Sequence, residues 1–88
     1  VTFSVVWRQS VLDALADLYV ILSLEEQDRM AAGVKTFNAR VAREPFDVGE
    51  GREDDHDRIA FMPLLIIGFQ VDPAARVVRV TGVTRFGR

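Results

Sequence analysis

The sequence predicts an α+β domain: a two-helix antiparallel hairpin packed on an antiparallel sheet of about four strands, in the order β-α-α-β-β-β. Three observations predict it. Segments rich in β-branched and aromatic residues lie at the start and through the last third of the chain. Two intervening segments carry apolar residues at helical spacing. A capping box separates those two segments by so short a link that they must fold back on each other.

The elements follow in order. Thr2 to Trp7 is a strand, with Phe3, Val5 and Trp7 on one side and Thr2, Ser4 and Val6 on the other. Ser10 is placed to cap a helix, with Asp13 three residues on. Val11, Leu15, Leu18 and Leu22 recur on its apolar face, with Leu12 and Tyr19 beside them and Asp13 and Asp17 opposite. Ser23 with Glu26 opens a second helix, and Glu25, Glu26 and Asp28 sit where the helix dipole favours negative charge. Met30, Val34, Phe37 and Val41 form its buried stripe. Pro45 ends it near Glu44, because proline lacks an N–H and disfavours helical geometry in the residue before it.

Phe46 to Asp57 is the loop, with Gly49-Glu50-Gly51-Arg52 as a turn. Arg58 to Met62 is a short strand that Pro63 interrupts, and Leu64 to Val71 is a central apolar strand. Asp72-Pro73-Ala74-Ala75 fits a type I turn, with Pro73 in its second position. Arg76 to Thr84 then completes a hairpin.

A chain of 88 residues is one domain, and 49% apolar residues suffice for a core. Such a domain hides roughly 60–65% of the surface its unfolded chain exposes. With no cysteine, a thiol nucleophile and a Cys-based zinc site are excluded. No cofactor is expected. The uncharged run Ile59 to Val71 has 13 residues and is too short to span a bilayer as a helix. Val1 to Trp7 lacks the basic leading segment of a secretory signal, and a cytoplasmic protein is expected.

Charge is uneven along the chain. The net value is -2; residues 45–75 carry two basic and seven acidic side chains, whereas Arg76, Arg79, Arg85 and Arg88 close the chain with no acid. The overall balance argues against a general nucleic-acid binder; the terminal arginines either form a local anion site or are solvated surface arginines on an edge strand or tail. His56, the one histidine, sits among Asp54, Asp55 and Asp57, in neither a calcium-loop nor a zinc spacing; no metal is expected. No phosphate loop or serine triad is present.

The arginines are therefore the candidate site. Arg58 opens one strand and Arg85 closes another. Strict alternation puts Arg79, Thr81 and Arg85 on one face of the last strand, with Val77 and Val83. Guanidinium groups hold phosphates in a fixed bidentate geometry and stabilise developing negative charge. Arg85 and Arg58 are assigned the catalytic role and Arg79 substrate binding; the alternative for Arg58 is a simple pair with Asp57 or its neighbours. Tyr19 and Trp7 are assigned to the core or its border.

Taken in order, several segments resemble the RelE/ParE toxin superfamily of bacterial type II toxin–antitoxin systems. They are Phe3-Ser4-Val5-Val6-Trp7, Ala14-Leu15-Ala16-Asp17-Leu18, Arg43-Glu44-Pro45 with Gly49-Glu50, Phe69-Gln70-Val71-Asp72 and Val80-Thr81-Gly82-Val83-Thr84-Arg85. The resemblance implies a cognate antitoxin and a poison of one of two kinds, of which the first, with arginines stabilising the phosphate, is the leading expectation and the second the alternative. RelE-like members act with the ribosome and cleave messenger RNA by attack of a 2′-hydroxyl on the adjacent phosphate. ParE-like members inhibit DNA gyrase, which would make the chain a plasmid-stabilisation type of toxin without nuclease chemistry. A homodimer is compatible with either, as is a non-toxic interaction domain that retains the fold. The chain departs from the nuclease pattern at Leu65 and Ile67, near where RelE-like nucleases place an arginine, and no tyrosine or histidine follows Arg85.

Overall fold

The structure is a computed structural model and describes residues 2–86. Its elements are β1 (Ser4–Trp7), α1 (Gln9–Val20), α2 (Leu24–Arg43), a 3₁₀ turn at Pro45–Asp47, β2 (Glu50–Gly51), β3 (Asp57–Met62), β4 (Leu65–Asp72) and β5 (Val77–Arg85). The expected layering holds: both helices cover one face of a single sheet whose strand order is β1-β5-β4-β3-β2.

The sheet differs from the expectation in two ways. It has five strands, because Glu50–Gly51, read as a turn, pairs with Ile59 and Arg58. It is also mixed: β1 runs parallel to β5, with Ser4 opposite Val77 and Trp7 opposite Val80. The cause is topological. Two antiparallel hairpins set the direction of β5. The helical excursion between β1 and the rest is the kind of crossover that a parallel pair requires.

Local chemistry explains the boundaries. Ser23 Oγ accepts from the Glu26 N–H (3.1 Å) while Glu26 Oε1 accepts from the Ser23 N–H (3.0 Å), so the capping box is complete. Helix α1 begins earlier than its cap was expected: Arg8 holds the capping position without a side-chain bond, and Ser10 lies inside the first turn. Leu64 (φ 68°) and Arg76 (φ 57°), expected at strand starts, are left-handed turn residues. Pro63–Leu64 thus makes the tight link between β3 and β4, and Asp72 Oδ1 accepts the Ala75 N–H (3.1 Å) in the next turn.

The core lies between α2 and the inner face of β4 and β5. Phe37 of α2 is fully buried and meets Trp7 and Phe69 edge-on, at ring separations of 6.1 and 5.3 Å. Val78, Val80, Leu65 and Ile67 complete the inner face. Burying each such side chain contributes about 1.5–3 kcal/mol before chain entropy is counted. Trp7 Nε1 donates to Asn38 Oδ1 (2.9 Å), so the tryptophan has the structural role expected of it, and Asn38 is its partner. No helix among the described residues is long and apolar enough to cross a membrane.

Candidate functional site

The pairing of β4 with β5 decides where the arginines go. Gln70 faces Arg79 and Phe69 faces Val80, but the next partners are Gly68 and Gly82. One step on β4 therefore matches two on β5, and Thr81 is the extra residue of a β-bulge. Because side chains alternate with period two, one extra residue inverts every position beyond it. Arg79, opposite exposed Gln70, is on the open face away from the helices. Arg85, opposite buried Leu65, is on the helix side.

Strict alternation had grouped Arg79, Thr81 and Arg85 on one face; the bulge separates Arg79 from Arg85. It also turns Val83, opposite Ile67, toward the core. The electrostatics agree: the Arg85 charge helps to hold the Glu26 carboxyl, at the start of α2, below the usual range, after the larger effects of the Ser23 N–H and hydroxyl. Arg88 lies outside the described residues.

Arg58 occupies a third environment. It is 5% exposed and on the helix side, opposite Phe69. Its Nε donates to the Val48 carbonyl (3.1 Å) and one terminal nitrogen to the Gly49 carbonyl (3.1 Å). The other terminal nitrogen meets the Asp55 carbonyl (3.3 Å) and carboxylate (2.6 Å). The Phe46 ring stands 5.9 Å from its guanidinium carbon. Arg58 thus ties both ends of the loop between the 3₁₀ turn and β3. Gly49 is needed beside it: at φ 64°, a Cβ there would fall 1.9 Å from the Ile59 carbonyl oxygen.

Arg79 is the predicted arginine that reaches an open recess. The recess has a volume near 330 Å³ and is lined by Arg79 with Asp54, His56, Asp57, Gln70 and Asp72, among others. Arg79 pairs with Asp72 at 3.3 Å, and that carboxyl is held below the usual range by the Ala75 N–H first and Arg79 second. His56 Nδ1 lies 3.8 Å from Asp54 Oδ1 and its ring meets Phe46 edge-on. The fold brings His56, 23 positions away in sequence, to the same recess as Arg79. A guanidinium and an imidazole together can hold an anion and move a proton. Here three carboxylates share the space, so the recess as a whole favours cations.

Beside it, the open face carries a row that sequence reading missed: Ile59, Gly68 and Gly82 lie opposite one another across β3, β4 and β5. The available signal was a pair of glycines inside apolar strands. A second surface lies between the helices, where Leu15, Tyr19, Met30 and Val34 line an apolar groove of about 390 Å³ rimmed by Lys35 and Asn38. Tyr19 therefore borders the helix pair rather than the recess.

Among solved structures, the chain is similar over nearly its whole length to a chain of the RelBE2 toxin–antitoxin complex of Mycobacterium tuberculosis. The TM-score is 0.68 at 19% identity, covering 98% of this chain and 100% of that one. A chain of the chromosomal ParDE toxin–antitoxin system of P. aeruginosa gives 0.67 at 17% identity, with 97% of each chain covered. A chain of the archaeal RelE–RelB complex of Pyrococcus horikoshii gives 0.57 at 22% identity, covering 100% and 99%. The fold is the RelE/ParE fold. No family model and no curated protein matches the sequence. Within the RelE/ParE fold, this chain places its three candidate arginines in a buried tie, an acidic recess on the open face, and the helix side of the sheet.

Proposed function

We propose that this chain is the toxin-like component of a type II toxin–antitoxin pair, acting in the cytoplasm, and that it works by binding macromolecules rather than by cleaving RNA. The end-to-end correspondence with chains of three toxin–antitoxin complexes carries the first part. It supports a cognate antitoxin as partner.

The dispersal of the arginines supports the second part. Phosphoryl-transfer chemistry needs several cations aimed at one phosphate. Arg58 directs its Nε and both terminal nitrogens at its own loop, and Arg79 and Arg85 lie on opposite faces. A ParE-like action on DNA gyrase needs only a binding surface. The test is induction of the wild-type chain and of Arg85→Ala in bacteria at matched protein levels. Arrest by both, with intact messages and lost DNA supercoiling, is the expected result. Arrest by neither, with soluble protein, would leave the fold as a non-toxic interaction domain.

A second reading, ribosome-dependent cleavage of messenger RNA, is favoured by one observation: Arg79 and His56 border the same recess. It requires that Arg79→Ala and His56→Ala each abolish cleavage while leaving the fold intact.

A further inference from the structure

Helix α2 turns Met30, Gly33, Phe37 and Val41 toward the core. Its other side carries a second row at coiled-coil spacing: Leu24, Asp28, Ala31, Lys35 and Asn38. Leu24 is 81% exposed, the highest value among the described large apolar side chains, and Val20 and Ile21 precede it at the hairpin turn with 72% and 65%. Beside the row runs the apolar groove of Leu15, Tyr19, Met30 and Val34, edged by Ala31, Lys35 and Asn38. Asp28 and Lys35 are both exposed, and neither has an ion-pair partner among the described residues.

The row is its own complement when reversed. Leu24 and Ala39, Asp28 and Lys35, and Ala31 and Ala32 are each equidistant from the point between Ala31 and Ala32. Two α2 helices laid antiparallel about a twofold axis at that point set Asp28 of each copy against Lys35 of the other, so one contact makes two ion pairs. Ala31, Ala32 and Ala39 are exposed and small, which lets the helices approach closely. Leu24 of each copy then comes over Ala39 and the Asn38 end of the other's groove. The first half of α2 carries Glu25, Glu26 and Asp28 against Arg29, whereas the second half carries Lys35, Arg40 and Arg43 and no acid. Antiparallel order therefore brings opposite charges together, and parallel order like ones.

The 20 residues of α2 run ~30 Å, and a face two helices wide is about 20 Å across. That is comparable with the roughly 800 Å² that each copy gives to a stable interface. Phosphates would meet Glu25 and Asp28 here, and a bilayer would have to desolvate Asp28 and Lys35. A second copy of the chain is the partner that necessarily carries the complementary order.

We infer that the outer face of α2, with the groove beside it, is an interface for a second copy of this chain: an isologous, antiparallel dimer held by two Asp28–Lys35 pairs and by Leu24 seated at the other copy's groove. It goes beyond the toxin–antitoxin reading, since it invokes neither antitoxin nor target.

Sedimentation equilibrium of the purified chain tests it. The wild type should dimerise with a Kd at or below ~100 μM. Asp28→Lys and Lys35→Glu should each raise that Kd at least ~10-fold, because by symmetry one substitution makes both pairs repulsive. Mixed one to one, the two variants should associate as a heterodimer with near wild-type affinity, since each supplies the charge the other has lost. Leu24→Ser should weaken the dimer by a similar factor with no change of charge. These positions are exposed, so the circular dichroism spectra should match wild type; if a charge variant fails to fold, Ala31→Glu, which sets two carboxylates at the twofold axis, replaces it with the same expected loss. A monomer at all concentrations below ~1 mM, a dimer indifferent to both reversals, or a mixture that stays monomeric would overturn the interface. Growth arrest on induction, or its absence, bears on the toxin reading alone.

Discussion

Arg79 and Arg85 lie on opposite faces of β5, because Thr81 is an extra residue between them. Each has its own carboxylate: Arg79 pairs with Asp72, and Arg85 acts on Glu26.

Two titrations check this division. Carboxyl chemical shifts should show Arg79→Ala raising the Asp72 midpoint and leaving Glu26 unchanged. Arg85→Ala should do the reverse. If Arg85→Ala moved Asp72, the bulge would be misplaced. Both carboxyls are held below their usual ranges by backbone N–H groups first. A depressed folded pKa stabilises above the unfolded value, and the benefit is lost as pH falls through the folded one. Asp72→Asn should therefore flatten the acid limb of the stability profile below the ordinary aspartate range, as read by denaturant midpoints.

Arg58 should behave as part of the scaffold. Arg58→Met strips donors from the carbonyl of buried Val48 and from that of Gly49. The expected loss is about 3 kcal/mol. Arg58→Lys should recover less than half, since an ammonium cannot reach Val48, Gly49 and Asp55 in one planar fork. Urea unfolding measures both. A fully stable Arg58→Met protein would free Arg58 for a functional assignment.

The glycines should divide sharply. Gly49→Ala forces a Cβ onto the Ile59 carbonyl at a left-handed backbone. It should cost on the order of 3 kcal/mol. Gly82→Ala enters open space and should gain about 0.5 kcal/mol or be neutral. Thermal melts of the two variants against wild type decide it. A destabilised Gly82→Ala would show that the monomer itself requires glycine there.

The capping box offers a smaller and cleaner measurement. Ser23→Ala removes the hydroxyl that accepts the Glu26 N–H and should cost about 1 kcal/mol. Ser23→Asp should retain most of the stability, since a carboxylate also serves at this position.

Much of this molecule is set by short-range chemistry that the sequence carries openly. The stripe of Met30, Val34, Phe37 and Val41, the Ser23–Glu26 box and Pro45 determined α2 nearly to the residue. The order of the helices and the longer strands, and the one-faced layering, followed from periodicity together with capping and turn signals. Four things waited for the tertiary structure: the pairing of Glu50–Gly51 as a fifth strand, the parallel pairing of β1, the bulge at Thr81, and the burial of Arg58. Each depends on which strand lies beside which, and no local pattern records that. A single unpaired residue then inverts the faces of everything after it. The elements were legible because their causes are local; the site was not, because the face on which an arginine emerges is a property of register.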